Sequence, residues 1–236
     1  MPLGFSKSVF TTKPAVAGRD ANTLTANGDA AVTTGNKKFG TGSADMDGNG
    51  DSITTVLNQN LGTGDFTIEG FFRYPSPTAS GSDGVFQLSS TSGGLEASVS
   101  TSLAFHILNS TQRARIYTRA GMQTTAGAVS ATLTGFQHFA LVRSSGTTKC
   151  YVGGIEELSV ADTNDYSADV NLIIGGIYNT SYLLDGQVDE FRISKSARYT
   201  SGFTPTTSAF TNDADTVLLM HADGDNGSTS FTDDNS

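Results

Sequence analysis

The chain contains no tryptophan, one cysteine, five prolines and three histidines in 236 residues. A single cysteine, Cys150, excludes an intrachain disulfide framework, and its setting in the strand-like run TTKCYVGG reads as a buried, inert thiol rather than a nucleophile. No apolar run approaches the ~20 residues of a membrane-spanning helix, and the first residues, MPLGFSKSVFTTKP, lack the continuous apolar stretch of a signal peptide. The Asn-x-Ser/Thr motifs at Asn109, Asn179 and Asn226 are accordingly not read as glycosylation sites. Positive charge is scarce: 14 Lys and Arg stand against 23 Asp and Glu, a formal net charge of -9. With no basic cluster, nucleic acid is not an expected partner. An acidic surface favours solubility and attracts divalent cations. Apolar residues keep no 3.6-residue period over any long window, so helix is expected to be scarce.

What remains is rich in glycine (27 residues), Ser and Thr, arranged as short alternating segments separated by tight polar turns. In LGTGDFTIEGFFRYP, Phe66, Ile68, Gly70 and Phe72 fall on one face and Thr67, Glu69, Phe71 and Arg73 on the other. FQHFALVRSSGTTKCYVGGIEELSV reads as a meander with turns at Ser144 to Gly146 and Gly153-Gly154. Further strands are expected at GVFQLSS, LEASVS, LAFHILN, ARIYTRA and NLIIGG. The run YLLDGQVDEFRI organises the rest. Strict alternation places Asp189 beside Phe191 and Ile193, opposite Val188, Glu190 and Arg192, so a carboxylate shares the apolar face. Such a carboxylate needs backbone N–H groups, hydroxyls or a metal. Gly186 just before it suits a sharp bend.

The loop Asp45-x-Asp47-x-Asn49-Gly50 matches the front of a calcium-binding loop, where oxygen ligands two apart converge on one ion. The twelfth position, Val56, offers no carboxylate, and Asp and Asn also favour tight turns for local reasons. Calcium, if bound, would be held by Asp45, Asp47, Asn49 and Asp51, or by Asp189 with nearby carbonyls. No catalytic set emerges. Glu156-Glu157 and Asp189-Glu190 are adjacent pairs that point to opposite faces, and His138 has no second His or Cys nearby. The chain is therefore expected not to be an enzyme. Residues 1–20 show no alternation but carry Leu3, Phe5, Val9 and Phe10, which reads as an arm that attaches to a partner.

Several of these motifs together resemble the laminin-G-like, concanavalin A-type jelly roll over about residues 35–205. They are the Lys38-Phe39-Gly40 turn with Asp47-Gly48, the FTIEGFF strand, HFALVRSSGTTKCYVGG, and the Gly186, Asp189-Glu190, Phe191-Arg192-Ile193 series. Gly70 and Phe71 depart from the large apolar residue and the Trp usual in that family. The resemblance implies an all-β antiparallel sandwich with an N-terminal extended arm, a single domain over residues 21–236. TVLLMHADGDNGSTSFTDD resembles the strand with which such modules begin, so strand 216–221 is expected to close the domain from its C-terminal side. ISKSARYTSGFTP, AFTNDADTVLLMHADG and TANGDAAV further resemble segments of capsid and tail proteins of phages infecting aquatic bacteria. They imply a non-enzymatic virion component on the particle surface, made in the host cytoplasm, bound to other virion proteins, and self-associating, with a trimer favoured. The alternative reading is a carbohydrate-binding adhesin for host-surface glycan, with calcium as a candidate cofactor.

Overall fold

The computed structural model describes residues 20–75, 82–91, 102–108, 111–129, 134–177 and 182–235. The arm residues Leu3, Phe5, Val9 and Phe10, and the strand expected at LEASVS, lie outside them. In chain order the strands are β1 (Thr25–Asn27), β2 (Ala31–Thr33), β3 (Ser43–Asp47), β4 (Ser52–Val56), β5 (Phe66–Arg73), β6 (Ser82–Ser89), β7 (Ser102–Leu108), β8 (Arg113–Thr118), β9 (Gly121–Thr124), β10 (Gln137–Ser144), β11 (Thr147–Val152), β12 (Ile155–Ala161), β13 (Asn171–Ile174), β14 (Gly176–Ile177), β15 (Tyr182–Leu183), β16 (Asp185–Ser194) and β17 (Thr216–Met220). No helix occurs among the described residues. One antiparallel sheet runs β1-β4-β13-β6-β7-β8-β9 and the other β12-β11-β10-β5-β16-β3-β2, with β17 also on β16 and a short hairpin of β14 and β15. The all-β sandwich read from the sequence is the observed architecture.

Alternation decides which side chains meet between the sheets. Phe66, Ile68 and Phe72 of β5 join Phe86, Phe105, Phe139 and Phe191 in the main core. Phe105 and Phe139 stack with centroids 5.3 Å apart, and Phe86 stacks on Phe139 at 5.9 Å. This phenylalanine ladder fills a core that has no tryptophan. It also accounts for Gly70, because a Cβ there would stand 3.0 Å from the Phe139 ring. Ser145 and Gly146, with φ of 49° and 77°, form the two-residue turn between β10 and β11, the backbone hand that suits a twisted hairpin.

β16 is the central strand of its sheet. β5 lies along one flank, while β3 pairs with residues 185–188 and β17 with residues 191–194 of the other. The pairing with β5 slips between Asp189 and Arg192, and Glu190 has a φ of 55°. This bulge inserts one residue, so Val188, Phe191 and Ile193 all enter the main core. The expected placement of Asp189 with Phe191 is thereby corrected: Asp189 points to the outer face. Gly186 marks close approach rather than a bend, since a Cβ would come within 2.2 Å of the Arg73 carbonyl oxygen.

The tail beyond β17 is more engaged than its polar sequence suggests. Val32 N donates to the Ser228 carbonyl at 2.7 Å and Gly227 N to the Val32 carbonyl at 2.8 Å. Buried Asp233 accepts hydrogen bonds from Leu219 N, Asn22 N and Asn22 Nδ2 at 2.9, 2.8 and 2.6 Å. One carboxylate thus ties the start of the described chain, the β17 strand and the tail together. Replacing Asp233 with Ala orphans buried backbone donors and is expected to cost about 2–4 kcal/mol. Urea denaturation of the Asp233→Ala variant measures this, and an unchanged midpoint would refute the tail's role.

Candidate functional site

The outer face of the eight-stranded sheet is closed by the chain between β16 and β17, residues 195–215. Phe71, Phe210 and Leu219 form one small apolar cluster beneath it, and Ala140, Val142 and Tyr151 another, with Ala197, Tyr199 and Phe203 packed on top. At the centre lies Glu69, fully buried. Its Oε1 accepts Arg192 Nε and Nη2 at 2.9 and 2.6 Å, and its Oε2 accepts the Tyr199 hydroxyl at 2.8 Å and His138 Nε2 at 3.1 Å. Burial opposes ionisation of Glu69, yet the His138 hydrogen bond and the Arg192 charge outweigh it and hold the carboxyl below its ordinary range. Arg192 Nη1 donates to the Thr211 carbonyl at 3.0 Å, with the guanidinium 4.1 Å from the Phe210 ring centroid. Arg198 is bound to Asp213 through two contacts of 2.9 Å. His138 therefore lies between the sheet and its covering strap, rather than within the sandwich core or in a cleft. This set of acid, histidine and arginine is a structural lock.

Asp189 sits at the rim of the same face. Its Oδ2 accepts Lys38 N at 2.6 Å and Phe39 N at 3.1 Å, as a buried carboxylate requires, while Oδ1 has no partner. Burial raises its pKa to about 7 against the two backbone hydrogen bonds, with Glu190 and Asp223 adding to the rise. Glu190 accepts Phe210 N at 2.6 Å and pairs with His221 Nδ1 at 2.7 Å.

Asp189 does not join the acidic group formed around the loop of Asp45, Asp47, Asn49 and Asp51 among the described residues. Oxygens of Asp47 and Asp51 come within 4.8 Å of one another and of Asp29, which the spacing alone did not indicate. Asp45 accepts from Gln187 Nε2, and Asn49 N donates to Asp47 Oδ1 at 2.8 Å. Asp51 accepts Asp29 N at 2.8 Å and Asp47 N at 3.0 Å, so its carboxylate locks the turn. Asp29, Asp47 and Asp51 could together offer oxygens to a divalent ion. Asp45 and Asn49 are not part of that acidic group among the described residues.

The other sheet presents a different surface. Across its outer face, Thr25 stands opposite Thr54, Thr54 opposite Ile173, Ile173 opposite Gln87, Gln87 opposite Ala104, and Ala104 opposite Tyr117. The β14–β15 hairpin packs Ile177 and Tyr182 over Ala104 and Tyr117. It covers His106, whose two ring nitrogens have no partner and whose pKa is pushed down to about 3 by burial, with Arg115 adding to the shift. Among the described residues the end formed by β1, β4 and β13 is a groove of ≈ 580 Å³. Thr23, Thr25, Asn27, Thr54, Asn58 and Asn171 line it together with Val56 and Ile173, and among the described residues no ionisable side chain does. Sequence reasoning did not single out this groove. Its signal is the alternation in NTLTAN, where Leu24 and Ala26 pack on the core and the intervening Thr and Asn turn outward.

A family model described as the concanavalin A-like lectin/glucanases superfamily matches residues 47–201. The chain belongs to that superfamily. No curated protein matches it by sequence. Among solved structures, this lectin-like chain is similar to a candidate carbohydrate binding protein from Bacteroides ovatus at 13% identity and a TM-score of 0.50, over 84% of this chain and 51% of that one. It is also similar to domain 4 of AbnA, an extracellular arabinanase from Geobacillus stearothermophilus, in complex with arabinotriose, at 15% identity and a TM-score of 0.51, covering 75% and 82%. A Trypanosoma rangeli sialidase with the inhibitor DANA matches at 12% identity and a TM-score of 0.50, covering 75% and 30%. The chain thus spans about half the length of the Bacteroides protein. At these identities the likeness is one of fold.

Two outcomes test the closed face. Glu69→Ala leaves the buried Arg192 charge unpaired and is expected to lose about 3–5 kcal/mol in a denaturant titration; a loss below 1 would contradict the lock. For Asp189, the folded pKa lies above the unfolded one, so its contribution is fully present below about pH 4 and is lost as pH rises through about 7. Melting temperatures of Asp189→Asn relative to the parent are therefore expected to rise between pH 5 and pH 8. A pH-independent difference would show that Asp189 does not titrate in that window.

Proposed function

We propose that this superfamily member is a non-catalytic carbohydrate-binding domain, with the groove over β1, β4 and β13 as its binding surface. The observation that carries the reading is the groove lining: hydroxyl and amide groups beside the exposed Val56, with no ionisable side chain among the described residues. Sugars present both hydroxyls and C–H faces, and sites that bind small molecules combine a few placed polar groups with apolar contact. A glycosidase needs two carboxyl groups flanking the scissile bond. Here Glu69 and Glu190 are buried and hydrogen-bonded on the other sheet, away from the groove. The carbohydrate-related neighbours are consistent with this assignment and do not carry it.

The second reading, a phage capsid or tail component held by residues 1–20 and assembled as a trimer, is favoured by the words ISKSARYTSGFTP and AFTNDADTVLLMHADG. In the fold these words form the strap and the β17 strand: Tyr199 binds Glu69, Arg198 binds Asp213, and Val217, Leu218 and Met220 enter the core. Packing therefore accounts for them whatever particle or cell carries the domain. A glycan-binding surface and an arm for attachment also suit a single displayed protein.

Affinity electrophoresis of the full chain through gels containing plant and bacterial polysaccharides tests the leading reading. Retardation by at least one polysaccharide is expected. The Thr54→Ala, Asn171→Ala double variant should melt normally and lose about ten-fold in affinity, in line with two hydrogen-bonding groups. No new reducing ends should form during incubation. Unimpaired binding by the double variant, or release of reducing sugar, would overturn the reading.

A further inference from the structure

The chemistry of the groove narrows the ligand beyond carbohydrate in general. Asn27 spends its side-chain N–H groups on the Thr25 and Ser52 carbonyls and on the hydroxyls of Ser52 and Thr54, at 3.1–3.4 Å. Asn58 spends its own on the carbonyls of Asp20 and Ala21 at 3.0 and 3.2 Å. Asn171 donates to the Ser89 carbonyl at 3.3 Å. Among the described residues no donor meets Oδ1 of these three asparagines, so each retains acceptor capacity. A ligand that satisfies them must therefore donate. Sugar hydroxyls donate. A carboxylate or sulfate offers only acceptors: the Thr23, Thr25 and Thr54 hydroxyls can donate to it, but the amide oxygens cannot, and no cation among the described lining residues compensates its desolvation.

Two further observations point the same way. Among the described residues no Lys, Arg or His lines the groove, whereas recognition of anionic groups relies on charged or multiple N–H donors. The chain carries a formal charge of -9, which opposes the approach of polyanions. The hydrophobic part of the groove is aliphatic. Val56 is 60% exposed whereas Ile173, beside Thr54 in the cross-strand row, is buried, so C–H faces would rest on Val56 rather than on a ring.

We infer that the groove takes uncharged glycan, and that it excludes sialylated, sulfated and uronic acid glycans. This rests on the carbohydrate-binding reading and deepens it. Its consequence is binding without an ionic component, so affinity is insensitive to salt and to pH. The distinction matters because a sialidase is among the proteins of similar fold, and fold alone does not transfer ligand charge.

The test is isothermal titration and affinity electrophoresis of the full chain with two sets of probes. Neutral probes are arabinan, galactomannan and mixed-linkage glucan; anionic probes are sialyllactose, polygalacturonate and heparin. Each is measured at 20 and 500 mM NaCl, and at pH 5 and 9. Binding of a neutral probe is expected, changing by less than about two-fold with salt, as for contacts without net charge. Anionic probes should bind at least about ten-fold more weakly. Thr54→Lys places a cation over the groove floor and should reverse that preference. Tight, salt-sensitive binding of an anionic probe by the parent chain would overturn the inference while leaving a carbohydrate-binding domain. Binding of none of the six would overturn both.

Discussion

Glu69 is the interaction on which the outer architecture depends. A fully buried carboxylate is costly to place, and here one side chain receives hydrogen bonds from Arg192, Tyr199 and His138. The three donors come from β16, the strap and β10, so satisfying one charge fixes three elements. Removing any donor exposes the cost, which is why the strap cannot be treated as a loop added to a finished sandwich. The aromatic layer follows from the same arrangement. Tyr199 and Phe203 stack at 3.6 Å, and His138 lies edge-on to Phe203 at 5.4 Å.

This lock divides the molecule into two unequal faces. The eight-stranded sheet uses its outer surface for folding, and Glu69, His138 and Arg192 there are committed to one another. The seven-stranded sheet is only partly covered, by the β14–β15 hairpin, and keeps an uncharged end open. On this account the residues with the strongest chemical character are structural ones, and the surface proposed to meet a ligand is built from Thr, Asn and Val56.

The sandwich was legible in the sequence because period-2 patterning in FTIEGFF and the turns of the central meander are local signals. The face assignment of Asp189 was not. It depends on a bulge at Glu190, and an inserted residue shifts the phase of every later side chain without altering the composition of the strand. Asp29 was likewise missed as a neighbour of Asp47 and Asp51, since its approach is made by strand pairing rather than by spacing along the loop. The tail's importance lay in Asp233, a residue that reads as solvated until its distant donors, Asn22 and Leu219, are known. The groove escaped notice for another reason: threonine and asparagine in short alternating strands are ordinary sheet surface, and only the groove that the described residues leave over β1, β4 and β13 distinguishes them.

The central claim is that the open end of the seven-stranded sheet, and not the strapped face, meets the ligand. Amide chemical-shift mapping of the isotopically labelled full chain during titration with a neutral oligosaccharide tests it most directly. The account predicts saturable shifts confined to Thr25, Asn27, Thr54, Val56, Asn171, Ile173 and their immediate neighbours. Shifts centred instead on residues 195–215, or on Asp29, Asp47 and Asp51, with the groove unmoved, would contradict it.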